Sequence, residues 1–359
     1  MARVYNFSAG PAILPEEVLK EAQEQLLDYE GSGMSVMEMS HRGKVYSAIH
    51  QEAKDNIKKL LNIPDNYSVL FMTGGATTQF SLIPMNLLAE GQTADYVNSG
   101  AWATKAIKAA QKLGKVNVLA DTAKDIPTKM PTNDELTFTE GAAYVHVTSN
   151  ETISGAQIKE FPETEAPLIA DMSSDILSRP LDVSKFGLIY AGSQKNLAPA
   201  GVTLVIIRND LAERVSDALP DLFKYKTFID GDSLSNTAPT FPIYMLMLTT
   251  RWLLAQGGLE GIQEVNERKS GKLYATIDAS DFYKGTALKE FRSTMNVTFR
   301  LPTEELEAKF IAEAAKVGLE TLKGHRSVGG IRASIYNAFP EAGVDKLIEF
   351  MKEFEAANS

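Results

Sequence analysis

The sequence predicts an α/β fold: a mainly parallel, helix-covered sheet followed by a smaller α+β lobe. Short apolar runs alternate with helical or turn segments as far as Ile207, the rhythm of a parallel sheet whose crossovers are helices. After about Gly257 the rhythm changes, and Gly257, Gly258 and Gly261 mark a lobe boundary. No internal repeat, low-complexity tract or proline-rich linker points to another architecture.

Taken in order, the first helix is expected from Pro15 to Tyr29, with Val18, Ala22 and Leu26 four residues apart. Pro15 followed by Glu16 and Glu17 suits a helix start. A glycine-rich loop, Gly31 to Gly43, leads to a second helix over Lys44 to Leu61, whose stripe is Val45, Ile49, Ala53, Ile57 and Leu61. Strands are expected at Tyr67–Met72, Asp95–Asn98, Lys115–Leu119, Ala142–Val147, Pro167–Ala170, Gly187–Ala191 and Val202–Ile207. Beyond Gly257 follow a long charged helix, a strand near Met295–Arg300, a helix over Thr303–Val317, a strand near Ile331–Ile335 and a terminal helix.

Composition narrows the function classes. Hydrophobic residues at 44% and charged residues at 23% are ordinary globular usage, which argues against disorder. A formal charge of −10 disfavours nucleic acid or an anionic membrane as partner, so the pocket for any anionic substrate must be locally basic. The longest apolar stretch, Phe241 to Leu248, is too short to span a bilayer. Met1 to Leu14 lacks the pattern of a secretory signal, which points to the cytoplasm. With no cysteine the chain has no disulfide, thiolate metal site or cysteine nucleophile, and no metal is expected.

Chemistry is carried by four strand ends. Lys195 lies in a tight turn between two apolar strands, where a fixed, partly desolvated amine can be neutral and attack an aldehyde. Asp171 ends a buried strand and is a candidate to keep a pyridine nitrogen protonated. Gly74, Gly75, Ala76 and Thr77 open a helix after a strand, where backbone N–H groups can receive a phosphate. Trp102, one of two tryptophans, sits at another strand-to-helix turn and can stack on a ring. Each alone has a plain alternative: a solvated lysine, a turn aspartate, an ordinary Gly-Gly turn, a core aromatic. Together they fill the roles of a pyridoxal-phosphate site.

The segments Asn6–Ala12 (NFSAGPA), Met39–Gly43 (MSHRG), Asp171–Arg179 (DMSSDILSR), Tyr190–Asn196 (YAGSQKN) and Gly324–Asn337 (GHRSVGGIRASIYN) resemble the phosphoserine aminotransferase family, class V pyridoxal-phosphate-dependent aminotransferases, over almost the full length. The resemblance implies the aspartate-aminotransferase-like fold (pyridoxal-phosphate-dependent transferase fold type I). Its large domain, residues 16–257, would hold a mainly parallel seven-stranded sheet, and residues 1–15 and 258–359 would form the small domain. It further implies a homodimer with shared sites and transamination between glutamate and 3-phosphohydroxypyruvate in serine biosynthesis, giving phosphoserine and 2-oxoglutarate. In bacteria the family also serves pyridoxine synthesis. By resemblance Lys195 links to the cofactor aldehyde, Asp171 pairs with the ring nitrogen, Trp102 stacks, and Thr152 contacts the phenolic oxygen. Ala76, Thr77 and Gln194 hold the phosphate, with Asn236 and Thr237 reaching it from the neighbouring subunit. Some relatives carry arginine where this chain has Thr77, so a substrate contact of that arginine is missing here.

Phosphoserine and glutamate each pair an α-carboxylate with a second anionic end, which forked cations read well. Two of the four histidines precede arginine, His41–Arg42 and His325–Arg326, and Arg332 follows six residues after Arg326. The resemblance assigns Arg332 to the α-carboxylate and the two pairs to the phosphate or distal carboxylate. Rival readings are a serine-glyoxylate-type aminotransferase, a cysteine desulfurase, which the lack of cysteine removes, and a non-catalytic cofactor-binding protein.

Overall fold

A computed structural model describes residues 3–359. Its centre is a seven-stranded sheet built from β1 (Tyr67–Met72), β2 (Thr93–Asn98), β3 (Lys115–Asp121), β4 (Val145–Thr148), β5 (Leu168–Asp171), β6 (Leu188–Gly192) and β7 (Thr203–Arg208). The strand order is β1-β7-β6-β5-β4-β2-β3. Every strand runs parallel except β7, which is antiparallel to both β6 and β1. The reversal follows from chain length: residues 193–202 between β6 and β7 are too few for a helical crossover, so the chain turns straight back.

Alternation along the strands sorts side chains onto two faces. On one, Val69, Phe71, Ile189 and Leu204 pack under the helices Lys44–Leu61 and Thr240–Ala255. On the other, Leu70, Met72, Tyr190 and Val205 pack under Gly75–Leu87 and Ala101–Ala110. The apolar run Phe241–Leu248 therefore belongs to a helix buried between layers. Among the described residues no helix is long and apolar enough to cross a membrane.

A second body has its own core of Phe7, Ile13, Leu273, Phe299, Phe310 and Leu347. Its antiparallel sheet joins Lys284–Gly285, Asn296–Arg300 and Ile331–Ser334, with helices Gly258–Asp278, Glu304–Lys316 and Glu341–Asn358 around it. The N-terminal Tyr5–Asn6 pairs in parallel with Leu319–Glu320. Lys269 is fully buried and donates to the carbonyls of Ile335, Tyr336 and Phe339 at 3.1, 2.7 and 3.1 Å, pinning the chain after the last strand to the helix it belongs to.

The helix over Lys44–Leu61 has the expected ends, but the first helix stops at Glu24 rather than Tyr29. Leu26 and Leu27 are exposed, and left-handed residues Glu30, Gly31 and Gly33 reverse the chain there. Val45, the first residue of the expected stripe, also faces outward, while Ile49, Ala53, Ile57 and Leu61 are buried.

Candidate active site

The carboxyl ends of β1, β2, β4, β5 and β6 open into one cavity of about 450 Å³. Asp171 is the last residue of β5 and is buried. Ser173 donates to its Oδ1 from the backbone N–H at 2.9 Å and from the hydroxyl at 2.6 Å, and the same hydroxyl accepts from the Gly192 N–H at 3.1 Å. Among the described residues, Oδ2 receives no protein hydrogen bond. Burial pushes the Asp171 pKa up, with Ser173 and Lys195 opposing. A cation placed against Oδ2 relieves that cost.

Lys195 stands on the β6–β7 turn, which is braced on both sides. Ala12 N–H donates to the Gln194 carbonyl at 2.9 Å, Asn196 Nδ2 donates to Ile176 O at 2.7 Å, and Asn196 Oδ1 accepts from Asn337 N–H at 2.9 Å. The Lys195 Nζ donates to Thr152 Oγ1 at 2.7 Å and lies 5.4 Å from the centre of the Trp102 ring. Burial pulls its pKa down, against the pull of Asp171 and Glu151. Such an amine reaches the neutral, nucleophilic form more readily than a solvated lysine.

Gly74 and Gly75 have φ of 91° and 68°, and a Cβ on Gly74 would stand 2.2 Å from Thr78 Oγ1, so glycine is required there. The helix Gly75–Leu87 has no side-chain cap, leaving its first N–H groups directed at the cavity wall formed by Gly75, Ala76 and Thr77. Trp102 Nε1, Thr148 Oγ1 and Asn150 Oδ1 are buried without protein partners, and all three residues line the cavity. An aldehyde-reactive amine, an acid with one free oxygen, a capless helix start and orphaned polar atoms fit pyridoxal phosphate.

His325 and Arg332 reach the same cavity from the smaller body. His325 Nδ1 is 2.7 Å from Ser327 Oγ and accepts from Ser327 N–H at 3.2 Å, so the neutral ring carries its proton on Nε2. Burial lowers its pKa, helped by Arg332, Arg326 and Lys105.

The structure thus brings together Lys195, Asp171, Trp102, Thr152, Ala76, Thr77, Gln194, His325 and Arg332. It leaves out five residues. Arg326 is exposed over an adjacent cleft with Gly324 and Val328, and Arg42, Asn236, Thr237 and His41 line none of this cavity. His41 Nε2 is buried with no partner, and Asn236 has only a 3.4 Å contact to the Thr237 carbonyl. Sequence reading also missed residues: Ala9 and Gly10, Thr148, Asn150, Ser173 and Ser174 all line the cavity. The run NFSAGPA was the signal for the first pair and DMSSDILSR for Ser173 and Ser174; Thr148 and Asn150 lie at a strand end and carry no pattern of their own.

This fold and cavity define an aminotransferase of the pyridoxal-phosphate-dependent type. The family model for aminotransferase class V matches residues 4–347. The phosphoserine aminotransferase of Geobacillus kaustophilus is 55% identical, with 99% of each chain covered. The solved phosphoserine aminotransferase of Bacillus circulans subsp. alkalophilus superposes with a TM-score of 0.96 at 50% identity, covering 99% of both chains. That of Trichomonas vaginalis, solved with pyridoxal phosphate bound, gives 0.94 at 40% identity over 98% of this chain and 100% of that one. The chain belongs to the phosphoserine aminotransferase family of class V aminotransferases.

Proposed function

We propose that this enzyme interconverts glutamate and 3-phosphohydroxypyruvate with 2-oxoglutarate and O-phosphoserine, using pyridoxal 5′-phosphate. The observation that carries the reading is the Lys195 amine, bonded to Thr152 in the cavity that Asp171 lines, with the Arg332 guanidinium and the His325 imidazole on the same cavity. When bound, the cofactor supplies an electron sink conjugated to the substrate α-carbon. Asp171 Oδ2 holds the proton on the ring nitrogen, Trp102 stacks on the ring, and Ala76, Thr77 and Gln194 receive the phosphate. Lys195 acts twice: its Nζ would carry the cofactor at rest, and once the substrate amine replaces it, the freed Nζ would take the proton from the substrate α-carbon and deliver it to the cofactor's aldehyde-derived carbon, on the far side of the shared nitrogen.

Arg332 reads the α-carboxylate as a fork, and His325 Nε2–H donates to the second anionic end; Arg326, off the wall of its own cavity, is assigned to that end only in an assembled dimer. We assign His41, Arg42, Asn236 and Thr237 to the cavity of a second copy in a homodimer. Arg42 and Thr237 are exposed and all four lie away from their own cavity, while Leu27 and Met37 leave nearby apolar surface at 85% and 57% exposure. The division into domains 16–257 and 1–15 with 258–359 is supported by the separate core and the Tyr5–Leu319 pairing. Operation in the cytoplasm and a second role on a phosphorylated hydroxythreonine in pyridoxine synthesis complete the reading.

A coupled assay with phosphoserine and 2-oxoglutarate, following cofactor absorbance, tests it directly. Turnover with phosphoserine and far less with serine is expected. Equal rates on the two would favour a serine-glyoxylate-type enzyme, for which the basic residues have no use.

A further inference from the structure

We propose that Glu151 is a positioning residue that sets Trp102 and Thr152 on the cofactor as one unit, resting on the cofactor assignment above. The carboxyl is fully buried, immediately before Thr152 in the chain. Its Oε1 accepts from Ser99 Oγ at 3.1 Å and from the Ala103 N–H at 3.4 Å. The helix Ala101–Ala110 has Gly100 at its start and no side-chain cap of its own, so this distant carboxyl supplies the acceptor that its first turn lacks. Trp102 stands in that turn.

Gly100 makes the contact possible. A Cβ there would lie 2.4 Å from the Glu151 Cδ and Oε2, although the extended backbone at Gly100 suits any residue. On its other side Glu151 is tied into the strand pair Asn150–Glu151 with Ala156–Gln157, and its carbonyl accepts from the Gly155 N–H at 2.8 Å. The carboxyl thus joins the ring-stacking helix to the segment whose next residue receives the Lys195 hydrogen bond. Burial raises the Glu151 pKa to about 7, so a neutral amide of the same shape is a fair substitute near neutrality.

The test compares E151A, E151Q, G100A and the G100A/E151A double variant. Cofactor affinity is measured by titrating each apoenzyme with pyridoxal phosphate, and ring orientation is read from the visible circular dichroism of the bound cofactor. E151A is expected to bind the cofactor roughly tenfold more weakly with an altered dichroic band, whereas E151Q stays within about threefold of the parent. G100A, which pushes the carboxyl aside, should resemble E151A, and the double variant should lose less than the two single losses combined because the methyl fills vacated space. Parent-like affinity and dichroism in both E151A and G100A overturn the proposal, as does E151Q matching E151A. Should E151A not fold, G100A and E151Q decide. Borohydride labelling of Lys195 in each variant separates this outcome from failure of the cofactor assignment itself.

Discussion

At the carboxyl edge of the sheet the reactive groups are buried and braced, whereas the loops that carry Arg42, Asn236 and Thr237 stand on the surface with few bonds of their own. Lys195 and Asp171 owe their shifted acidities first to burial, and neighbouring hydrogen bonds hold both in place. Arg42 and Thr237 are exposed, and the Asn236 side chain has only one long contact. The loop before Asn236 is nonetheless anchored. Asp232 pairs with Lys54, and Ser233 Oγ accepts from the Phe71 N–H at 3.0 Å. A held loop with unused polar ends suits a group offered to another molecule, while a buried lysine bonded to its own chain suits one that acts at home.

Mixing subunits would break or sharpen this contrast most visibly. Lys195→Ala and Arg42→Ala proteins should each be nearly inactive, and hybrids formed by unfolding and refolding them together should regain turnover, because one cavity then receives both an intact lysine and a partner's arginine. Hybrids as inactive as their parents would mean that Arg42 serves its own chain or none. Next in size, Arg332→Ala removes the only arginine on the cavity wall among the described residues. It should lower kcat/KM for both amino acids by roughly 2 to 5 kcal/mol, measured with phosphoserine and glutamate separately. An effect on only one of them would reassign the α-carboxylate.

Away from the site, Lys269→Met leaves three buried carbonyls without their donor. Urea unfolding should show a loss of about 3 kcal/mol, with a smaller loss in kcat, since the segment it holds also carries Asn337, whose N–H bonds to Asn196 beside Lys195. Last, and visible only on acidification, is His146, buried in β4 with Nε2 3.0 Å from Tyr190 Oη and with burial lowering its pKa from 6.5 to about 3. A depressed histidine pKa means that the unfolded chain takes up the proton first. Its stabilisation is complete above about pH 6.5 and is lost as pH falls toward 3. Denaturant midpoints compared with His146→Phe should converge across that window, by at most about 1.4 kcal/mol per pH unit.

The sheet was legible because its strands are short apolar runs and its reactive residues follow their carboxyl ends: Gly74 after β1, Trp102 after β2, Asp171 closing β5 and Lys195 after β6. The long amphipathic helix Lys44–Leu61 was legible because nearly all of its stripe has a layer to pack against. What escaped depends on contacts between distant residues. The overrun of the first helix reflects an apolar pattern that continues past the core, and Glu151 reads as a polar residue in a loop until Gly100, fifty-one positions earlier, is seen to make room for it. The same holds for Ala9 and Gly10, whose place over Lys195 comes from the N-terminal segment pairing at Leu319.

Borohydride reduction of the holoenzyme followed by peptide mapping is the most direct test of the whole account. The pyridoxyl label should be found on the peptide containing Lys195 and be absent from Lys195→Ala protein. A label on another lysine, or none in protein that still transaminates, would contradict it.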